Sequence, residues 1–443
     1  MQSQLPVIRT YTGVDRQAAE TAYRADVQTA RSAGWVPVAH RWRTEGDQQE
    51  LAVVFELRGP ASAAPPAPVI ADSLATQAAA TGSAPIISST GASTARARAR
   101  ATIETIDLHA GGEPIRLIRS GYPRVPFAPI LERRRWAREH ADSVRTVLMY
   151  EPRGHLDMYG AVLLPPYRTD ADIAVLFMHN EGYSTMCGHG VIALTTGLIE
   201  EGLYPASTPV TTIRWETPAG LVTAIADVAT GDDGAAEVSG VRFTNVPSYL
   251  HQTDITLATE RHRAIQVQLA FGGAYYGIVD AAALGLRVVP GSIEALTAAG
   301  AAITSALRQA HSPTHPTEDD LGFVYGTIIV DHDPASAPDG RATDSTLRNV
   351  TVFADAEVDR SPCGSGTSAL LAWMHATGQL AIGQEIRNAS ITGEVFEGRV
   401  DDVTSLGPRD AVITSVAGNG YVTGYHTFVV DDRDPLGDGF LLR

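Results

Sequence analysis

The chain has 443 residues, 44% of them hydrophobic, and a formal charge of −16 from 34 basic and 50 acidic side chains. This length allows two or three domains, and the acidic balance argues against nucleic acid as a partner, because phosphate binding needs a basic face. All 34 basic residues are arginine, so a pyridoxal-phosphate Schiff base and a P-loop, which both need lysine, are excluded.

No G-x-G-x-x-G follows a strand-like run. No apolar run approaches the roughly 20 residues that span a bilayer, so no membrane partner is expected. The opening MQSQLPVIRT has neither a basic region nor an apolar one behind it, so no secretory leader is expected. Two cysteines make no disulfide framework and point to a reducing, cytoplasmic compartment.

Residues 1–58 read as a small β-α-β-β unit. LPVIRTYTG is a strand; Asp15 opens a helical pattern that Gly34 ends; WVPVAHRWR and ELAVVFELR are strands around the turn TEGDQQ. No chemistry attaches to this unit. Residues 59–101 are rich in Ala, Pro, Ser and Thr, a composition that reads as a flexible linker. The body begins near Thr102. IETIDLHA, TVLMY, AVLLP, IAVLFMH, VTTIRWE and LVTAIAD read as strands, and GVIALTTGLIEEGL as a helix. Arg133, Arg134, Arg135, Arg138 and Arg145 read as a solvated helix face. VRFTNVP, AIQVQLAFG, YYGIVD, GTIIV and NVTVFAD are strand-like, and SALLAWMHATGQL is helical. Each half, about 102–240 and about 241–425, thus holds many strands and one helix apolar enough to be buried.

Both helices follow a cysteine. TMCGHGVIAL and SPCGSGTSAL each contain Cys-Gly-x-Gly-x-x-Ala-Leu, on Cys187 and on Cys363, and together use the whole cysteine complement. The match suggests an internal duplication. A helix N-terminus offers unpaired N–H groups and the positive end of the dipole, which favour a thiolate and bind a carboxylate. The glycines let a ligand approach the backbone. Two such motifs face to face would put a sulfur on either side of a substrate α-carbon, an arrangement suited to stereoinversion without a cofactor. His189 is placed to hold substrate or tune Cys187, or to cap its helix. Asp359 is placed to accept from a substrate ammonium, or to pair with Arg360. The competing readings are two core cysteines, a Cys–His hydrolase, a redox pair that lacks a C-x-x-C, and a zinc site without a compact ligand cluster.

The motifs MCGHG and DRSPCGSGTSA resemble the paired catalytic motifs of the proline racemase family, which includes proline racemases, 4-hydroxyproline 2-epimerases and trans-3-hydroxy-L-proline dehydratases. DLHAGGEPIR, EPRGHLDMYGA, HNEGYSTMCGHG, FGGAYYGIVD and DDRDPLGDGFLLR extend the resemblance over 102–443. It implies an α/β fold like that of diaminopimelate epimerase, with two pseudo-symmetric domains, each a sheet around a central helix, and a C-terminal segment returning to the first half. By the same resemblance Cys187 and Cys363 are the acid/base thiols, and His189 and Asp359 contact substrate or tune them. Backbone groups of Gly188, His189, Gly364 and Ser365 hold the carboxylate, with Tyr275 and Phe353 near the ring.

The implied enzyme is a racemase or epimerase of proline or hydroxyproline, with no cofactor, no metal and an imino acid as partner; a homodimer stays open as its assembly. Several stretches are most similar to the dehydratase branch, in which threonine typically replaces the second cysteine. Here that position is Cys363, which favours inversion over dehydration, while an imino-acid-binding protein without turnover stays an outside alternative.

Overall fold

A computed structural model describes residues 101–260, 264–332 and 346–442, and the backbone of three strands before them. The chain divides into two compact units, residues 1–102 with 429–433, and residues 103–428 with 434–443. In the first unit Val7–Gly13, Trp35–Glu45 and Gln48–Leu57 form an antiparallel sheet with the last of them in the middle. The helix expected after Asp15 lies outside the described residues. Of the linker expected over 59–101 only Ala101 is described, and it opens the strand Ala101–Ala110.

The second unit is α/β and runs through one sequence of elements twice. In the first pass the hairpin Ala101–Ala110/Glu113–Ser120 leads through helices α1 (Ile130–His140) and α2 (Asp142–Met149) to Tyr159–Leu164, parallel to Glu113–Ser120. Ile173–His179 and the short Gly182–Tyr183 follow antiparallel, then Cys187 and helix α3 (Gly188–Glu200). Val210–Thr217 returns parallel to Ile173–His179, and Gly220–Thr230 and Ala236–Thr244 extend the sheet.

In the second pass the hairpin Ile265–Phe271/Tyr275–Asp280 leads through α4 (Ile293–Ala310) to the parallel Val324–Asp331. Thr346–Phe353 and Glu357–Asp359 follow antiparallel, then Cys363 and α5 (Gly364–Ala376). Glu385–Ala389, Val395–Leu406 and Arg409–Gly418 repeat the parallel return and its two extensions. The strands close into one hydrogen-bonded circuit, and Ala236–Thr244 makes an additional pairing with Arg409–Gly418.

Burial follows composition. Every residue of α3 except Glu200 is buried, and so are residues 364–372 of α5. Each fully buried Leu, Ile or Val there contributes about 1.5–3 kcal/mol relative to exposure. Helix α4 is two-faced: Leu296, Gly300, Ile303, Thr304 and Leu307, at helical spacing, are its buried residues. The C-terminal segment lies on the first half, where Phe440 and Glu151 exchange backbone hydrogen bonds of 2.9 and 3.0 Å and Arg153 donates to the Gly437 carbonyl.

Two local expectations are corrected. TVLMY is not a strand; its first four residues complete α2, whose Arg145, Val147, Leu148 and Met149 are buried. A five-residue apolar run fits either period, and the helix is set by the residues before it. The five arginines do not form one solvated face. Arg133, Arg134 and Arg145 are buried and donate to the carbonyls of Ala128 and Pro165, of Tyr183, and of His179 and Asn180. Their guanidinium groups satisfy loop carbonyls that strands leave unpaired.

The two cysteine helices meet end to end. A Cβ on Gly188 would lie 2.5 Å from the Gly364 Cα, and one on Gly364 would lie 2.7 Å from the Gly188 Cα. The Phe243 ring tip would be 3.0 Å from either. We expect Gly188→Ala and Gly364→Ala each to lower the unfolding free energy by about 1–3 kcal/mol through overpacking, read from denaturant titration. Parent-like stability would mean that the helix ends separate freely.

Candidate active site

Each cysteine is the N-cap of its helix. Cys187 has an extended backbone, and its Sγ accepts from the Gly190 N–H at 3.2 Å. Cys363 has a left-handed φ of 61°, which costs a non-glycine residue about 1–3 kcal/mol. Its neighbours hold it there: the Pro362 carbonyl accepts from Asn349 Nδ2, Asn388 Nδ2 and Thr367 Oγ1, and the Cys363 N–H donates to Ser361 Oγ.

Because Gly188 and Gly364 touch, both sulfurs open into one small cavity. Of the residues expected from sequence, Cys187, Gly188, His189, Phe353, Asp359, Cys363, Gly364 and Ser365 line it. The first-turn N–H groups of a helix have no acceptor within the helix, so those of Gly188, His189, Gly364 and Ser365 are free of helix acceptors, an arrangement chemically able to bind an anion.

Tyr275 is corrected. Successive side chains of a strand point to opposite faces, and Tyr276, not Tyr275, faces the cavity. The Tyr276 hydroxyl lies 2.8 Å from Ser365 Oγ and 4.0 Å from Cys363 Sγ. Tyr275 lies on the far side, where its hydroxyl meets Tyr249 at 2.5 Å and donates to the Thr314 carbonyl.

Sequence reasoning also missed Tyr159, Met186 and Tyr325, which complete the lining. The repeat YGAVLL/YGTIIV, at residues 159–164 and 325–330, was the available signal for both tyrosines. Their hydroxyls are 3.3 Å apart, and Tyr159 donates to Ser184 at 2.5 Å.

Asp359 and Arg360 have different hydrogen-bond partners. Asp359 Oδ1 accepts from the Ser361 N–H and hydroxyl at 2.8 and 2.7 Å, while Arg360 is bound to Glu113 at 2.8 Å. His189 has its Nδ1 3.4 Å and its Nε2 3.6 Å from Cys187 Sγ.

The ionisation states differ from the sequence expectation. Burial raises the Cys187 thiol well above its ordinary value, against the lowering effect of the Gly190 N–H. Burial, then the Asp359 charge, raises Cys363 too. Burial also raises Asp359, and burial followed by the Asp359 charge raises Glu113. Burial and then the Arg360 charge push His189 down to about 3, so its imidazole is neutral. The helix ends do lower the thiol pKa, but desolvation outweighs them.

The family model for proline racemase matches residues 105–441. The chain belongs to the proline racemase family. A trans-3-hydroxy-L-proline dehydratase of Bacillus cereus is 44% identical, covering 76% of this chain and 97% of that protein. A 3-hydroxyproline 2-epimerase of Burkholderia multivorans is 43% identical over 77% of this chain and 98% of its own length. Among solved structures, a hydroxyproline epimerase from Agrobacterium vitis with bound trans-4-hydroxy-L-proline superposes with a TM-score of 0.71 at 32% identity. That match covers 77% of this chain and 95% of the epimerase. The chain is therefore an enzyme, of the epimerase or the related dehydratase type.

The raised thiols contribute to the alkaline response, beside buried tyrosines that burial raises as well. Folded Cys363 keeps its proton above 9.0, the ordinary value at which the unfolded chain loses it. Stability therefore falls as pH rises above about 9. Cys363→Ala removes this contribution, and its denaturation midpoint is expected to fall less between about pH 8 and pH 10 than the parent's. Equal falls in both proteins would show that the thiol ionises as readily folded as unfolded.

Proposed function

We propose that the chain inverts the α-carbon of a hydroxyproline, with Cys187 and Cys363 as the two acid/base groups. One observation carries the reading: both sulfurs, on apposed helix N-termini, line one cavity. The substrate carboxylate accepts from the N–H groups of Gly188, His189, Gly364 and Ser365, and its ammonium faces Asp359. One sulfur, as thiolate, takes the α-proton; the opposite thiol gives a proton to the other face, so the substrate leaves inverted and the two sulfurs have exchanged states. The substrate ammonium supplies, beside the thiolate, a positive charge that the residues lining the cavity do not.

Hydroxyproline is preferred over proline because the similar proteins are named for it. The relative named as a dehydratase supports a second reading for a 3-hydroxyproline: the same α-proton loss is followed by departure of the ring hydroxyl, which leaves as water, giving a pyrroline-2-carboxylate. Retention of Cys363 favours inversion, because dehydration needs no proton donor on the opposite face.

The test follows L-proline, trans-4-hydroxy-L-proline and trans-3-hydroxy-L-proline separately by proton NMR in deuterated water. Loss of the α-proton with growth of the C2 epimer is expected for a hydroxylated ring. Cys363→Thr is expected to abolish inversion by at least about 100-fold, as removal of an acid/base group does. Inversion at the parent rate in that variant would overturn the two-thiol assignment, and a pyrroline product alone would make dehydration the reaction.

A further inference from the structure

The two passes of the fold place His179 and Phe353 at equivalent positions, each the last residue of its strand. Tyr159 and Tyr325 are equivalent as well, each at the start of the first strand after the helical crossover. The packing repeats accordingly. Tyr159 stacks on His179 at 5.5 Å and 22°, and Tyr325 stacks on Phe353 at 5.3 Å and 19°. Three of these four rings line the cavity; His179 stands behind them, edge-on to Tyr325 and Phe353.

The symmetry breaks at His179, where a histidine takes the place of a phenylalanine. Its Nδ1 lies 2.7 Å from Glu357 Oε1, and the Glu181 N–H donates to the same oxygen at 3.2 Å. His179 belongs to the first half and Glu357 to the second, so the bond crosses between them. Glu357 is fully buried, and among the described residues its Oε2 has no hydrogen-bond partner. Burying a carboxylate with one oxygen unsatisfied is destabilising, and apolar residues in both places would pack at lower cost. The pair thus gives geometry rather than stability. That geometry is local to the site. Glu357 pairs in register with Phe353, and Asp359 follows two residues later on the same strand.

We infer that His179 and Glu357 are a positioning pair, which locks the aromatic wall across the two halves and so fixes the seat of the substrate ring between the thiols. The inference rests on the reading of this cavity as the imino-acid site. Neither residue touches the reacting atoms. The pair acts through Tyr159, Phe353 and Tyr325, and its removal affects ground-state and transition-state binding alike, which raises KM more than it lowers kcat.

The experiment uses the full chain and the hydroxyproline that the parent turns over fastest. Glu357→Ala and His179→Phe, the latter restoring the internal symmetry, are each expected to raise KM and the calorimetric Kd by about 10- to 100-fold, the scale of loss from misplaced ligands. The double variant is expected to be no worse than the poorer single one, because both remove one interaction. Glu357→Gln keeps an oxygen for Nδ1 and is expected to restore most of the affinity; it also serves where the alanine variant fails to fold. Unchanged KM and Kd in both single variants, or losses that multiply in the double variant, would overturn the pairing. A parent chain without α-proton exchange is a different outcome: it defeats the functional reading, while Kd for trans-3-hydroxy-L-proline still reports on the pair.

Discussion

The end-to-end contact of Gly188 with Gly364 is the constraint on which the site depends. Each helix alone offers one sulfur and one set of first-turn N–H groups. Bringing the helix ends within backbone contact merges two half-sites into one cavity. The approach is so close that a Cβ on either residue would lie within 3 Å of the other's backbone. Glycine is therefore required at both positions by space rather than by φ, since neither residue is in the left-handed region. Phe243, from a strand at the seam where the halves pair, seals the contact from behind.

The same contact decides the electrostatics. A helix end stabilises a nearby anion by about 0.3–1 kcal/mol, up to about 2 in partly buried geometry. Full burial disfavours an ionised side chain by on the order of 4–7 kcal/mol. Burial wins, so the cavity disfavours charge: burial raises both thiols and Asp359 and lowers His189. Such a site meets a zwitterion on particular terms. On the proposed reading, its carboxylate would meet the N–H dipoles of the helix ends, and its ammonium would supply the positive charge that the lining residues do not. Binding and ionisation of a thiol are thereby coupled, and a neutral analogue of the same shape would lack half of that coupling.

Much of this was legible in the sequence. The matched motifs around Cys187 and Cys363 gave the duplication and the two buried helices, because an apolar helix behind a Gly-rich cap leaves few alternatives. The sheet residues were harder to place. Tyr275 and Tyr276 are adjacent, and only the register of their strand decides which one faces the cavity. TVLMY had too few residues for its period to decide. The buried arginines were misread because their partners are carbonyls, which every sequence contains and none displays. The Tyr-Gly repeat that opens the strands after each crossover was visible, but its meaning required knowing that both tyrosines stand at the same level of a two-fold scaffold.

The symmetry of that scaffold is incomplete, and the departures fall around the site. Cys187 sits on extended backbone with its sulfur bonded to Gly190, whereas Cys363 is held left-handed by Asn349, Asn388, Thr367 and Ser361. His179 replaces the equivalent of Phe353 and brings Glu357 with it. Catalysis leaves the equilibrium between two epimers unchanged, so these differences do not set which epimer accumulates. On the proposed reading they would act on orientation, because a hydroxylated ring has no two-fold symmetry and a fully symmetric cavity would accept it equally in two senses. Duplication would then supply a sulfur for each face of the α-carbon, and divergence of the halves the single sense in which the ring is held.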